Sequence, residues 1–378
     1  MNHCSFSRNL YYGTNAIQQL SVLCSRCKKI AVFSDRGIVS SGTIDPVLNV
    51  LKQAKIDYIL LSDIPSEPTY EQAQHLVDSF VASGAEMILA VGGGSVMDVA
   101  KLCSVAASTT VAALLETPSL AKKTVYTVMV PTTAGTGAEA TPNAIVAVPE
   151  KELKVGIVSD EMIPDAVVLD ESLLRRLPTH IAASNGIDAL CHAVECYTSL
   201  KATPLSNMFA LEAARLIFRN IEAACLNPEN RESVSAMQLG AYYAGLAIAC
   251  SGTTAVHALS YPLGGKYHIP HGVANAMMLL PVMQYNLPEC IDRFAAIYDA
   301  LGAHDLTDNQ AKAEWLVNRM AHLVEVLRIP TDLKKYGVQP EDLETLVQAG
   351  MSVTRLLNNN RRKVTKDAAR MIYQTLLS

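Results

Sequence analysis

Short apolar runs recur along the first half of the chain, separated by polar turns marked with glycine or proline. Residues 29–33 (Lys-Ile-Ala-Val-Phe), 58–61, 87–91, 126–130 and 167–169 are such runs. They are rich in Val, Ile and Leu and show no alternation, so they predict strands buried on both faces. Between them, residues 45–54, 70–83 and the stretch from the glycines at 92–94 to Ala106 read as helices. Strand, turn and helix in rotation predict a mostly parallel sheet with helices on both faces. Beyond Leu177-Pro178 the β-type pattern fades, and residues 181–198, 204–226, 232–249, 252–259 and 310–327 read helically. A boundary near residue 180 therefore divides the chain into an α/β domain, 1–179, and an all-helical domain, 180–378. No internal repeat or low-complexity segment is present.

Composition narrows the function classes. A chain of 378 residues with half of its positions hydrophobic and 18% charged is long and apolar enough to build two cores, which excludes a disordered protein. The net charge of −5 comes without a basic stripe, so nucleic-acid binding is not expected. The short run Arg361-Arg362-Lys363, beside Asn358-Asn359-Asn360, reads as a solvated loop. The N-terminal MNHCSFSRNLYYG lacks the apolar core of a signal peptide. The longest uncharged stretch, 233–266, is too polar and too broken for a lipid-facing span, and predicts a buried helix or two rather than membrane association. Nine scattered cysteines fit no disulfide framework in a chain of this length and point to a reducing cytoplasm. Cys24-Ser-Arg-Cys27 lacks the second pair that a zinc knuckle needs.

Two regions carry candidate chemistry, the first of them for a nucleotide. Gly92-Gly93-Gly94-Ser95 stands where a predicted strand meets a helix. Bare backbone amides at a helix N-terminus can approach an anion closely, so a phosphate is the expected ligand. The pattern is neither GxGxxG nor a P-loop. Asp98 and Lys101 lie in the first turns of that helix. Asp98 is a candidate cofactor-binding residue, although a carboxylate there also suits the helix dipole. Lys101 fits a solvated surface position. Asp35, after the first clear strand, can take ribose hydroxyls and repel a 2′-phosphate, which favours NAD, or can serve as an ordinary turn aspartate. The loop Pro131–Glu139 offers Thr132, Thr133 and Thr136 as small donors that could line a cofactor cleft.

The second region is a mixed oxygen and nitrogen donor set. Asp188 and His192 are four residues apart, on one helical face. His257 and His271 can complete a shell that suits iron or zinc. Cys191 and Cys196 flank His192 but fall on other faces.

The stretches GGGSVMDVAK (92–101), PTTAGTGAEAT (131–141), NGIDALCHAVECY (185–197) and HALSYPLGGKYHIPHGVANA (257–276) together resemble the iron-containing (group III) alcohol dehydrogenase family, in its order and spacing and over nearly the whole chain. The resemblance implies a Rossmann-like α/β N-terminal domain plus an all-α C-terminal domain, the dehydroquinate-synthase-like fold, with the active site in the cleft between them. It implies Fe²⁺, sometimes Zn²⁺, on Asp188, His192, His257 and His271. It places a pyrophosphate on Gly93, Gly94 and Ser95, and matches Thr132, Thr133 and Thr136 to cofactor contacts. Asn143 and Lys154 match the nicotinamide-ribose side, and Asp35 matches an acidic residue of NAD-preferring members. A homodimer is implied, with a strand such as Ser5–Tyr12 pairing across its interface.

One departure stands at Tyr261, where many members carry a histidine associated with proton transfer. Tyr261 and His268 are the candidate relays. The expected activity is hydride exchange between NAD(H) and a small, polar primary alcohol or its aldehyde. The small, partly polar residues 250–256 are expected to shape the substrate pocket. The alternatives are a dehydroquinate-synthase-type NAD- and metal-dependent lyase, a metal-independent maleylacetate-reductase-like enzyme, and a non-catalytic nucleotide-binding protein.

Overall fold

The computed structural model describes residues 3–151 and 153–377. The chain forms two compact units, Met1–Leu177 and Pro178–Ser378. The first contains β1 (Asn9–Tyr12), α1 (Leu20–Cys24), β2 (Lys29–Phe33), α2 (Arg36–Ser40), α3 (Asp45–Gln53) and β3 (Asp57–Leu61). It continues with α4 (Tyr70–Ser83), β4 (Met87–Gly92), α5 (Gly94–Val105), α6 (Val111–Glu116), β5 (Tyr126–Pro131), β6 (Asn143–Val148), β7 (Leu153–Val158) and β8 (Ala166–Leu169).

Six strands form one parallel sheet in the order β1-β8-β5-β4-β2-β3. Every residue of β4 is buried, as its uninterrupted apolar run requires. From β2 the chain moves outward to β3, then returns to β4 on the other side of β2 and proceeds to β5. The order reverses between β2 and β4. Ligands of open α/β sheets bind beyond the strand carboxyl ends at such a reversal. Here those ends carry Ser34-Asp35 and Gly92–Ser95.

The remaining pair, β6 and β7, is an antiparallel hairpin outside the main sheet, which the apolar pattern did not predict. Its inward positions alternate along β6, the mark of a strand buried on one face only. The strand expected across a dimer interface is shorter than expected and pairs within its own chain: β1 runs parallel to β8 at one edge of the sheet, Asn9 opposite Ala166.

The second unit is helical: α7 (Thr179–Thr198), α8 (Pro204–Leu226), α9 (Arg231–Ser251), α10 (Ala255–Tyr267), α11 (His271–Ala300), α12 (Asn309–Val326), α13 (Leu343–Ser352), α14 (Thr354–Leu357) and α15 (Lys366–Gln374). No single helix among the described residues is long and apolar enough to cross a membrane. The uncharged stretch contains the body of α9 and all but the end of α10, which meet at a 103° bend. The helix expected at 252–259 starts later because Gly252 sits at φ 78°, a left-handed value that ends α9. The 30-residue α11 also escaped the sequence pattern, since Pro281 and Pro288 lie inside it.

The basic run at 361–363 is not a solvated loop. Arg362 stacks over the Tyr285 ring, 4.1 Å from its centroid, and donates to the Tyr285 carbonyl. Arg361 donates to the Thr198 carbonyl at 3.4 Å. Of the neighbouring asparagines, Asn358 is exposed but Asn359 and Asn360 are buried, and Asn360 and Asn286 exchange amide hydrogen bonds of 3.0 and 2.8 Å.

Candidate metal and cofactor sites

In the helical unit, three helices bring the four predicted donors together. Asp188 and His192 lie one turn apart on α7, His257 in the first turn of α10, and His271 at the first position of α11. One donor atom from each falls within 4.8 Å of all the others. The Nε2 atoms of His192 and His257 are 2.8 Å apart, with their rings stacked. Asp188 Oδ1 lies 3.9 Å from His192 Nε2 and 3.7 Å from His257 Nε2. Asp188, His192 and His257 are buried, and His271 is partly exposed.

The polar atoms of the site suit a cation. Asp188 Oδ1 accepts from Asn275 Nδ2 at 2.7 Å, whereas its Oδ2 is buried with no hydrogen-bond partner. A buried carboxylate oxygen left without a partner is costly. Burial pushes the Asp188 carboxyl up, but the imidazoles of His192, His271 and His257 and the Asn275 amide outweigh it and hold the group below its ordinary value. Lone pairs of one carboxylate and three imidazoles therefore converge at one point, a donor set that fits Fe²⁺ or Zn²⁺.

Two residues not singled out in the sequence complete this cluster. Glu195 is fully buried. Its Oε1 accepts from Thr254 N at 3.1 Å, Thr254 Oγ1 at 2.7 Å and Val256 N at 2.7 Å, and its Oε2 faces His257 Nδ1. The bend at Gly252 makes this possible, because it aims the amino end of α10 at α7. Asn275 Nδ2 also lies 3.0 Å from His257 Nε2 and 3.1 Å from His271 Nε2. Both residues were in helical register with ligands, Glu195 seven positions after Asp188 and Asn275 four after His271.

In the α/β unit, Gly93 caps α5 in extended conformation. A β-carbon on Gly94 would meet Thr136 Cγ2 at 2.8 Å, so the bare glycine lets the loop carrying Thr132, Thr133 and Thr136 close over the helix start. Thr132 Oγ1 is buried without a hydrogen-bond partner. Ser95 Oγ accepts from Glu67 N at 3.0 Å.

Other predicted positions have partners within the fold. Asp35 caps α2, accepting from Ile38 N at 2.9 Å. Asp98 faces inward, accepting from Ile145 N at 3.0 Å and pairing with Lys101 at 3.0 Å. Lys101 is not solvated. It is completely buried and also donates to the carbonyls of Ala138 (2.8 Å) and Asn143. Lys154 pairs with Glu67 at 2.7 Å.

Comparison with known proteins identifies the family. The family described as iron-containing alcohol dehydrogenase matches residues 7–171, and the C-terminal domain of the same family matches 182–377. The chain belongs to the iron-containing alcohol dehydrogenase family. It is similar to long-chain-alcohol dehydrogenase 1 of Geobacillus thermodenitrificans (strain NG80-2), 34% identical over 96% of this chain and 94% of that protein. A solved 1,3-propanediol oxidoreductase superposes with TM-score 0.93 at 29% identity, covering 99% of this chain and 100% of the other. Sulfoacetaldehyde reductase of Bifidobacterium kashiwanohense, solved in complex with NAD⁺, superposes with TM-score 0.88 at 25% identity over 100% and 99% of the two chains. As a member of the iron-containing alcohol dehydrogenase family, the chain is an NAD-dependent oxidoreductase of alcohols and aldehydes, and the lyase and metal-independent readings lose their support.

For an iron-containing alcohol dehydrogenase the two candidate relays stand differently. The Tyr261 ring lies 6.3 Å from the His271 ring, packed with Ala258 and Leu356. His268 is exposed and ends α10 in a left-handed conformation. Of the residues expected to shape a polar pocket, Cys250 and Gly252 are partly exposed, whereas Ser251 and Thr254 are engaged inside the fold. The Ser251 hydroxyl donates to the Ala247 carbonyl at 2.9 Å, and Thr254 is held by Glu195.

Proposed function

We propose that this chain interconverts a small, polar primary alcohol and its aldehyde with NAD(H), using Asp188, His192, His257 and His271 to hold Fe²⁺ or Zn²⁺. The observation that carries the reading is the convergence of four donor atoms within 4.8 Å in a buried site. A divalent cation there supplies Lewis acidity to the substrate oxygen. Hydride exchange is the chemistry of the nicotinamide cofactor itself.

The chain's own residues orient these groups. Gly93, Gly94 and Ser95, with the free amides that open α5, take the pyrophosphate. Thr132, Thr133 and Thr136 line the same turn, and the unpartnered Thr132 hydroxyl supports that role. Asp35 meets the adenosine ribose, and its free oxygen favours NAD over NADP. Asn143 and Lys154 serve the nicotinamide-ribose side, with Lys154 exchanging part of its pairing with Glu67. Asp98 acts indirectly, by holding Lys101 beneath the loop. Tyr261 is the preferred proton donor because its ring neighbours a ligand, and His268 is the exposed alternative. The substrate size follows the 1,3-propanediol and sulfoacetaldehyde named for two similar structures. A homodimer in the cytoplasm completes the reading; nine free cysteines favour a reducing compartment.

The test is a panel of short aldehydes, two to six carbons long, with NADH and NADPH, on protein purified anaerobically with Fe²⁺. Preference for short polar aldehydes with NADH is expected; equal turnover of long alkanols removes the substrate assignment, and activity surviving exhaustive chelation removes the metal. His257→Ala should lose bound metal and turnover while keeping its circular-dichroism spectrum. Unchanged activity in that variant would break the assignment.

A further inference from the structure

We propose that Glu195 is a positioning residue that fixes the tautomer of His257, keeping Nε2 free of a proton so that the cluster can accept a divalent cation. This rests on the metal-centre reading above.

A carboxylate only accepts hydrogen bonds. Glu195 Oε1 already receives three donors, Thr254 N, Thr254 Oγ1 and Val256 N. Oε2 faces His257 Nδ1. The proton between them therefore resides on Nδ1, and a neutral imidazole then carries its lone pair on Nε2. That atom is the one directed at His192 Nε2 and close to Asp188 Oδ1. The opposite tautomer would aim a hydrogen into the donor cluster. Fixing a ligand histidine through its other nitrogen is a general device for tuning metal affinity. Glu195 is held rigidly for this task. It is fully buried, and the backbone N–H of Thr254 and Val256 at the start of α10 anchor one oxygen while the other meets a residue of the same helix.

Glu195→Gln separates this role from packing. The amide has the same shape and carries no charge. Its oxygen must stay on the three donors, because an NH₂ group there would face two backbone N–H groups and a hydroxyl. The NH₂ then falls against His257 Nδ1, which must become the acceptor, and the ring proton moves to Nε2.

The experiment strips the full chain of metal and titrates Zn²⁺ against a competing chelator, for the wild type and for E195Q. Metal-free melting curves of both forms run in parallel. Nitrogen-15 NMR of the metal-free wild type, with the His257 signals assigned through H257A, reads the tautomer directly. Expected are an Nδ1–H tautomer in the wild type, Zn²⁺ affinity about 10–100-fold weaker in E195Q, and a metal-free melting temperature that does not fall. An Nε2–H tautomer in the wild type overturns the proposal even if E195Q does not fold. Equal Zn²⁺ affinity in the two forms overturns the proposal alone. No Zn²⁺ uptake by the wild type overturns the metal-centre reading and this proposal together.

Discussion

Lys101→Met tests how the cofactor loop is supported. Lys101 is completely buried on α5, three residues after Asp98, and its ammonium pairs with that carboxylate at 3.0 Å. The same nitrogen donates to the carbonyl of Ala138 at 2.8 Å, to that of Asn143 and to Thr141 Oγ1 at 3.3 Å. One side chain thus ties α5 to the end of the threonine loop and to the first residue of β6. Methionine keeps most of the stem volume but strands the carboxylate, which would retain the Ile145 N–H as its named donor. Burial already pushes the Asp98 carboxyl above its ordinary value despite Lys101, so losing the cation leaves that penalty uncompensated. Breaking a buried pair costs about 3–5 kcal/mol. For a unit of this size each kcal/mol lowers Tm by about 2–4 °C, so the expected loss is about 6–20 °C. Neutralising the stranded group in the double variant Asp98→Asn/Lys101→Met should recover about 1–3 kcal/mol. Differential scanning calorimetry reads the stability, and NADH fluorescence titration should show weaker binding, since the loop bearing Thr132, Thr133 and Thr136 loses its anchor. If K101M melts within about 2 °C of wild type, the range of an ordinary surface substitution, the buried pair carries no such weight and the reasoning fails.

Two further outcomes follow from the same region. Burial pushes the carboxyl of Glu139 up to about 7, against its own backbone N–H and the Lys101 charge. The folded form holds its proton more tightly than the unfolded chain, so the associated stability is present below about pH 4.5 and is lost as pH rises to about 7. Glu139→Gln should therefore be neutral at pH 4 and more stable than wild type at pH 8 by on the order of 3 kcal/mol; urea titrations at the two pH values giving one constant difference would exclude this. Gly94→Ala sets a methyl 2.8 Å from Thr136 Cγ2, an overpacking of about 1–3 kcal/mol. NADH affinity should fall roughly tenfold, the stability loss should shrink when Thr136→Ala removes the clashing methyl, and equal NADH affinity in G94A and wild type would remove Gly94 from the cofactor turn.

Much of the fold was written in local pattern. The runs at 29–33, 87–91 and 126–130 are apolar throughout because parallel strands are covered on both faces, and each is a strand. The helix over 70–83 was bounded by its own chemistry, a Thr69–Gln72 capping box at one end and left-handed Gly84 at the other. The β6–β7 hairpin was missed because buried positions alternate with partly exposed ones along β6 and are fewer still along β7, which dilutes the apolar signal. The helix α11 was missed because internal prolines read as breaks.

The chain's residue types alone determined which chemistry was available: an aspartate and a histidine one helical turn apart, two more histidines, and three glycines ahead of a helix. Helical periodicity follows from backbone geometry, so Asp188 and His192 were certain to share a face once α7 formed. Tertiary structure alone decided the rest. It fixed which helix faces which, and so brought His257 and His271 to α7 across more than sixty residues of sequence. It turned Glu195 from an unremarked helical acid into the partner of His257, and Lys101 from an expected surface residue into a buried tie. Those outcomes depend on the bend at Gly252 and on the packing of α5 beneath a loop, and no local pattern records the direction in which a buried charge will find its partner.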